Sequence, residues 1–109
     1  MATYEEFLNI EIRVGTVLRA EAFPEARKPA VKMWIDFGER GTLTASAQIT
    51  RRYSPERLQG TQVLAVTNFP PRRVAGFDSQ VLVLGAVADQ EDVILVRPDE
   101  EVAPGTRVL

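Results

Sequence analysis

The residue types able to do covalent or acid–base chemistry are few in this chain, and two are missing. Its 109 residues include no cysteine and no histidine. Disulfides, thiolate metal sites and a cysteine nucleophile are therefore excluded. The commonest general base and the commonest transition-metal ligand are absent as well. Carboxylates, hydroxyls, arginines, Lys28 and Lys32 remain, and they fall into no catalytic constellation. No P-loop, GxGxxG, GxSxG or zinc spacing occurs. The acidic runs "DQED" (89–92) and "DEE" (99–101) match no calcium loop and read as solvated turns. The expectation is a protein that is not an enzyme, with no cofactor and no metal.

Three stretches carry residues suited to recognition instead. "AVKMWIDFG" alternates Val31, Met33, Ile35 and Phe37 with Lys32, Trp34 and Asp36, so Trp34 falls on the outer face of a strand. An outward tryptophan is either a binding anchor or a surface covered by an N-terminal helix or a second subunit. "TASAQITRRY" places Ser46, Gln48, Arg51 and Arg52 together. Small polar side chains beside arginines suit backbone or phosphate contacts, and they also suit a strand end running into a solvated turn. "TNFPPRRVAGFDSQV" brings Phe69, Pro70, Pro71, Arg72, Arg73 and Phe77 into one segment. Its prolines stop strand pairing, and the residues after them read as a loop. That loop is either a recognition rim or, through Phe69 and Phe77, a plug for one end of a barrel. Gly76 serves a turn.

Charge leaves the partner open. The chain has a formal net charge of −2, which disfavours a strong nucleic-acid binder. Residues 1–73 carry 11 basic and 8 acidic side chains and residues 74–109 carry 2 and 7, which gives either one basic face or a solvated acidic tail. Hydrophobic residues make up 45% and charged residues 26%, as in ordinary globular domains. No apolar run approaches a membrane span, so no membrane insertion is expected. The first residues lack the basic start and apolar core of a secretory signal, and a cytoplasmic protein is expected.

The elements that must position these residues are legible as one domain over residues 1–109. "TYEEFLNI" reads as a short helix capped by Thr3 with Glu6 at the capping-box spacing. Its apolar face, Tyr4, Phe7 and Leu8, must pack on the domain's own core or on another subunit. A strand "EIRVGTVLRAEAF" follows, with Gly15 marking a bulge or bend. After the "PEARKP" loop come the Trp34 strand, a "GERG" turn and its hairpin partner "TLTASAQIT". "SPERLQG" is a short helix, with Ser54 as cap, Pro55 at its first position and Gly60 past its end. "TQVLAVTNF", "QVLVLGAVA" and "VILVRP" are further strands, and "APGTRVL" closes the chain. Five or more strands with a helix between the third and fourth match the five-stranded OB barrel. An N-terminal helix and a C-terminal strand extend it. A small sandwich is the competing all-β arrangement.

The segments "EIRVGTVLRAEAFPEARKPAVKMWIDFG", "SAQITRRYSPERLQGTQVLAVTNFPPRRVAGFDSQVLVLG" and "RPDEEVAPGTRVL" resemble the bacterial CsaA proteins. These belong to a wider tRNA-binding-domain group of OB modules, some of them appended to aminoacyl-tRNA synthetases. Members of the wider group typically read "HPNADKL" after the first strand and "SGL" after the third. Here "FPEARKP" and "SAQI" stand at those places, which favours the CsaA branch. The resemblance implies a homodimer, with the N-terminal helix and C-terminal segment at the subunit contact. It implies ATP-independent chaperone-like binding of unfolded preproteins or peptides, linked to export, with the SecA translocase as a partner. Peptide contacts would fall on Trp34, Ser46, Gln48, Phe69, Pro70, Pro71, Arg72 and Phe77. The alternative is a tRNA-binding protein using Arg51, Arg52, Arg72 and Arg73.

Overall fold

The computed structural model describes all of residues 1–109. Helix α1 spans Tyr4–Leu8 and begins where Thr3 Oγ1 accepts from the Glu6 amide at 3.2 Å, while the Thr3 amide donates to Glu6 Oε1 at 3.0 Å. This reciprocal cap satisfies two donors that a helix start otherwise leaves free. None of the helix residues is buried. Tyr4, Phe7 and Leu8 therefore do not pack into the domain's own core.

The barrel is built from β1 (Ile12–Ala22), β2 (Val31–Asp36), β3 (Thr42–Ala47) and β4 (Gln62–Val66). Two short strands follow, β5 (Arg72–Val74) and β6 (Phe77–Ser79), and then β7 (Leu82–Val83). The main sheet runs β3-β2-β1-β4-β7. The backbone amides of Gln80 and Val81 donate to Thr44 O at 2.8 and 3.1 Å, which brings the β7 end round to β3 and nearly closes the barrel. Helix α2 (Pro55–Leu58) lies between β3 and β4, with Ser54 Oγ accepting from the Arg57 amide at 3.3 Å. This is the five-stranded OB barrel the pattern predicts.

β1 reaches both partners because it bends. Ile12–Thr16 pair with β4, and Thr16–Ala22 pair with β2. Gly15 lies in the stretch paired with β4, and a Cβ there would lie 2.4 Å from Ile35 Cγ2 and 2.7 Å from the Phe37 ring. Only glycine lets the core side chains approach this closely. The register shift itself comes between Val17 and Arg19, leaving Leu18 unpaired. The core gathers Val17, Met33, Ile35, Phe37, Ala45, Leu58, Val63 and Ala65. The alternation in β2 holds, with Val31, Met33 and Ile35 buried and Lys32, Trp34 and Asp36 half-buried.

Two expectations are corrected. The segment after Pro70-Pro71 is a hairpin, not a loop: β5 and β6 pair Arg72 with Ser79, Arg73 with Asp78 and Val74 with Phe77. Its turn residues Ala75 and Gly76 both have positive φ, 46° and 83°. Such a turn matches the right-handed twist of a two-residue hairpin, and Gly76 adopts its half without strain. "QVLVLGAVA" is also not one strand. β7 ends at Val83, and β8 (Gly85–Asp89) leaves the barrel to pair with β9 (Asp92–Leu95). β10 (Arg107–Val108) pairs with Arg13 and Ile12 of β1. No helix is long and apolar enough to cross a membrane.

Candidate binding groove

Hairpin β5–β6 stands on the outer face of β2 and β3. Phe77 meets the edges of Trp34 and Phe23, with ring centroids 5.8 and 5.7 Å away. The Arg19 guanidinium lies 4.2 Å from the Trp34 ring centroid, and Lys32 Nζ lies 4.9 Å from that of Phe23. Edge-to-face rings and stacked cations are each worth about 0.5–1.5 kcal/mol beyond area burial. Polar contacts fasten the other side of the hairpin. Ser79 Oγ accepts from the Ser46 amide at 2.9 Å, and Thr44 Oγ1 donates to Asp78 O at 2.6 Å. Trp34 is therefore covered by Phe77 and Arg19, not by the N-terminal helix. Phe77 packs on the outside of the barrel and does not plug its end.

Beside the hairpin, three adjoining clefts form one groove. The first, of about 230 Å³, is lined by Phe69, Pro70, Val81 and Leu82 with Ser46 and Arg72. Ser46 and Arg72 also line the second, of about 200 Å³, with Arg27, Lys28, Gln48 and Val74. Lys28 and Gln48 continue into the third, of about 140 Å³, with Arg51 and Glu91. One end is apolar: Phe69 is 43% and Leu82 48% exposed. The remainder is cationic. Arg27, Lys28, Arg51 and Arg72 have no carboxylate within 4 Å, since the ion pairs of the chain lie elsewhere.

The groove sorts the residues singled out in the sequence. Ser46, Gln48, Phe69, Pro70 and Arg72 share it, and Arg51 stands at its far end. Trp34 and Phe77 line none of the three clefts and instead hold up the hairpin wall, and Pro71 is exposed outside them. Arg52 and Arg73 are engaged by carboxylates. Arg52 grips Asp92 through Nε at 2.5 Å and Nη2 at 2.9 Å, and Arg73 donates to Asp78 at 2.8 Å. The Arg52 guanidinium holds the Asp92 carboxyl below its usual range. Arg27 and Lys28 were missed by sequence reasoning, because a loop bounded by prolines gives no clue to the wall it faces.

The fold is an OB barrel carrying an open groove of mixed apolar and cationic lining. Residues 12–107 match the family model described as a putative tRNA binding domain. The chain is 55% identical to chaperone CsaA from Bacillus anthracis, with a TM-score of 0.97, covering 100% of this chain and 99% of that one. It is 44% identical to the CsaA chaperone protein from Picrophilus torridus, with a TM-score of 0.92 and full coverage of both chains. Among curated relatives, it is 40% identical over 105 residues to methionine–tRNA ligase of Porphyromonas gingivalis, covering 96% of this chain. The chain spans 15% of that ligase's length. It belongs to the tRNA-binding-domain family, in its CsaA branch.

Proposed function

We propose that the protein is a non-catalytic, ATP-independent chaperone-like module that holds unfolded preprotein or peptide segments in this groove. The observation that carries the proposal is the groove's composition, apolar at one end and lined beyond it by Arg72, Arg27, Lys28 and Arg51. An extended polypeptide offers apolar side chains together with carbonyl and carboxylate oxygens, and both find partners there without one fixed sequence. The likeness to the two CsaA chaperones supports the same reading. The role is linked to export from the cytoplasm, with the SecA translocase as the partner. A homodimer is part of the proposal: a five-residue helix has no stability of its own, and the uncovered Tyr4, Phe7 and Leu8 suit a second copy.

Fluorescence anisotropy of a labelled unfolded preprotein segment, at low and high salt, tests the proposal. Saturable binding that survives high salt is expected, with Phe69→Ala costing about 1–2 kcal/mol. Binding that is absent, or indifferent to both Phe69→Ala and Arg72→Ala, rules it out.

A second reading, tRNA binding, is favoured by the four groove cations that lack carboxylate partners. It predicts affinity that falls steeply with salt, because phosphate contacts release counterions. Arg51→Glu together with Arg72→Glu would then abolish binding.

A further inference from the structure

The cationic groove ends at a carboxylate. Glu91 lies at the tip of the β8–β9 hairpin, where Asp89 pairs with Asp92 and Gln90 and Glu91 make the turn. It lines the same cleft as Lys28, Gln48 and Arg51. No cation lies within 4 Å of its carboxylate, so its charge is unpaired. The tip is held on both flanks by consecutive arginines. Arg51 Nη1 donates to Gln90 O at 3.2 Å, and Arg52 clasps Asp92. Glu91 takes φ of 60°, a left-handed conformation that non-glycine residues adopt uncommonly. Arg52, one of the four arginines that the tRNA reading placed on phosphates, is therefore occupied in fixing the hairpin that carries an acid at the far end of the groove.

We infer that Glu91 is a specificity-determining residue of this groove: its carboxylate disfavours a continuous polyphosphate relative to a polypeptide. A nucleic-acid strand carries a charge at every nucleotide, about one per 3.4 Å of duplex axis per strand. Laid along Arg72, Lys28 and Arg51, it brings phosphates into the cleft that Glu91 also lines. A polypeptide carries charge only at chosen side chains. It can set carbonyls or a carboxylate against Arg72 and Lys28 and leave a neutral or basic residue at the far end. Like charges placed together are a common means of excluding a wrong partner. The inference rests on the chaperone reading for its ligand, but its electrostatic content is read separately.

The test compares wild type with Glu91→Gln and Glu91→Gly. Gln keeps the side chain without the charge. Gly removes the carboxylate and accepts the positive φ, so the hairpin tip is retained. Two probes are titrated at low salt: bulk tRNA, and an unfolded peptide with blocked termini and no charged side chains. Both variants should bind tRNA about threefold more tightly, the size expected of one exposed like-charge contact, and the gain should vanish at high salt. Peptide affinity should stay within about twofold. Unchanged tRNA affinity in both variants overturns the inference. An equal gain on both probes also overturns it, since it would make the effect one of space instead of charge. A tRNA gain in a protein that binds no peptide would refute the chaperone reading while supporting the electrostatic role of Glu91.

Discussion

Glu11 ties three parts of the chain through one carboxylate. Its Oε1 accepts from Arg13 Nε at 2.6 Å and from Thr67 Oγ1 at 3.2 Å, and Arg40 Nη2 lies 2.6 Å away. These join the start of β1, the turn after β2 and the end of β4. The Arg13 hydrogen bond holds the Glu11 carboxyl below its ordinary value of 4.5; burial opposes this, and Thr67 and Arg40 reinforce it. A carboxyl depressed in the folded state adds stability above its unfolded pKa. That contribution is lost as pH falls through the folded value. Glu11→Gln should therefore cost about 1–2 kcal/mol near neutral pH and less as the pH falls below 4.5. Urea denaturation across pH reads both numbers, and a constant difference between the proteins would contradict the assignment. Gly15 makes a second residue-scale prediction. A methyl group there meets Ile35 and Phe37 well inside contact distance, so Gly15→Ala should destabilise by about 2 kcal/mol or more in thermal or urea melts.

At the scale of elements, the β5–β6 hairpin decides where the groove has a wall. Arg72 and Val74 line the groove, while Phe77, opposite Val74, packs onto Trp34 and Phe23. Phe77 is thus a positioning residue that never enters the clefts. Phe77→Ala should weaken peptide binding through the wall, together with a stability loss of about 1–2 kcal/mol, since the ring is half-buried. Hydrogen exchange separates this from a direct contact: amides of β5 and β6 should exchange faster while those of β2 and β1 change little. Uniform acceleration across the barrel would show that the hairpin is not an independent unit. The prolines suggested that the strand "TQVLAVTNF" runs to Phe69 and stops at Pro70-Pro71, whereas β4 already ends at Val66 and pairing resumes at Arg72. The sequence did not show the hairpin beyond them, because Ala75 at positive φ carries no turn signal of its own.

For the whole molecule, charge and association are the deciding quantities. A net charge of −2 coexists with a groove whose four cations lack carboxylate partners, because Asp92 and Asp78 are drawn to Arg52 and Arg73 outside it. Global charge therefore says little about what approaches this face. Association is predicted from α1, whose Phe7 and Leu8 are 37% and 42% exposed. Light scattering should give the mass of a dimer, and Leu8→Glu should shift it towards monomer while leaving the far-UV circular dichroism of the barrel intact. A wild-type monomer at tens of micromolar would remove α1 from any subunit contact.

The sequence alone determined what rests on neighbours along the chain. The Thr3 and Ser54 caps, the alternation of β2 and the helix between β3 and β4 all follow from local spacing, since hydrogen bonds over three or four residues and a two-residue strand period are local. The absence of cysteine and histidine bounded the chemistry in the same way. Only the tertiary structure decided which residues share a surface. Ser46, Gln48, Phe69, Pro70 and Arg72 line adjoining clefts, whereas Trp34 packs against Phe77, and Arg52 pairs with Asp92 forty residues on. Those contacts join segments far apart in the chain, and nothing local encodes them. Arg27, Lys28 and Glu91 entered the groove for the same reason: barrel closure and two hairpins brought them there.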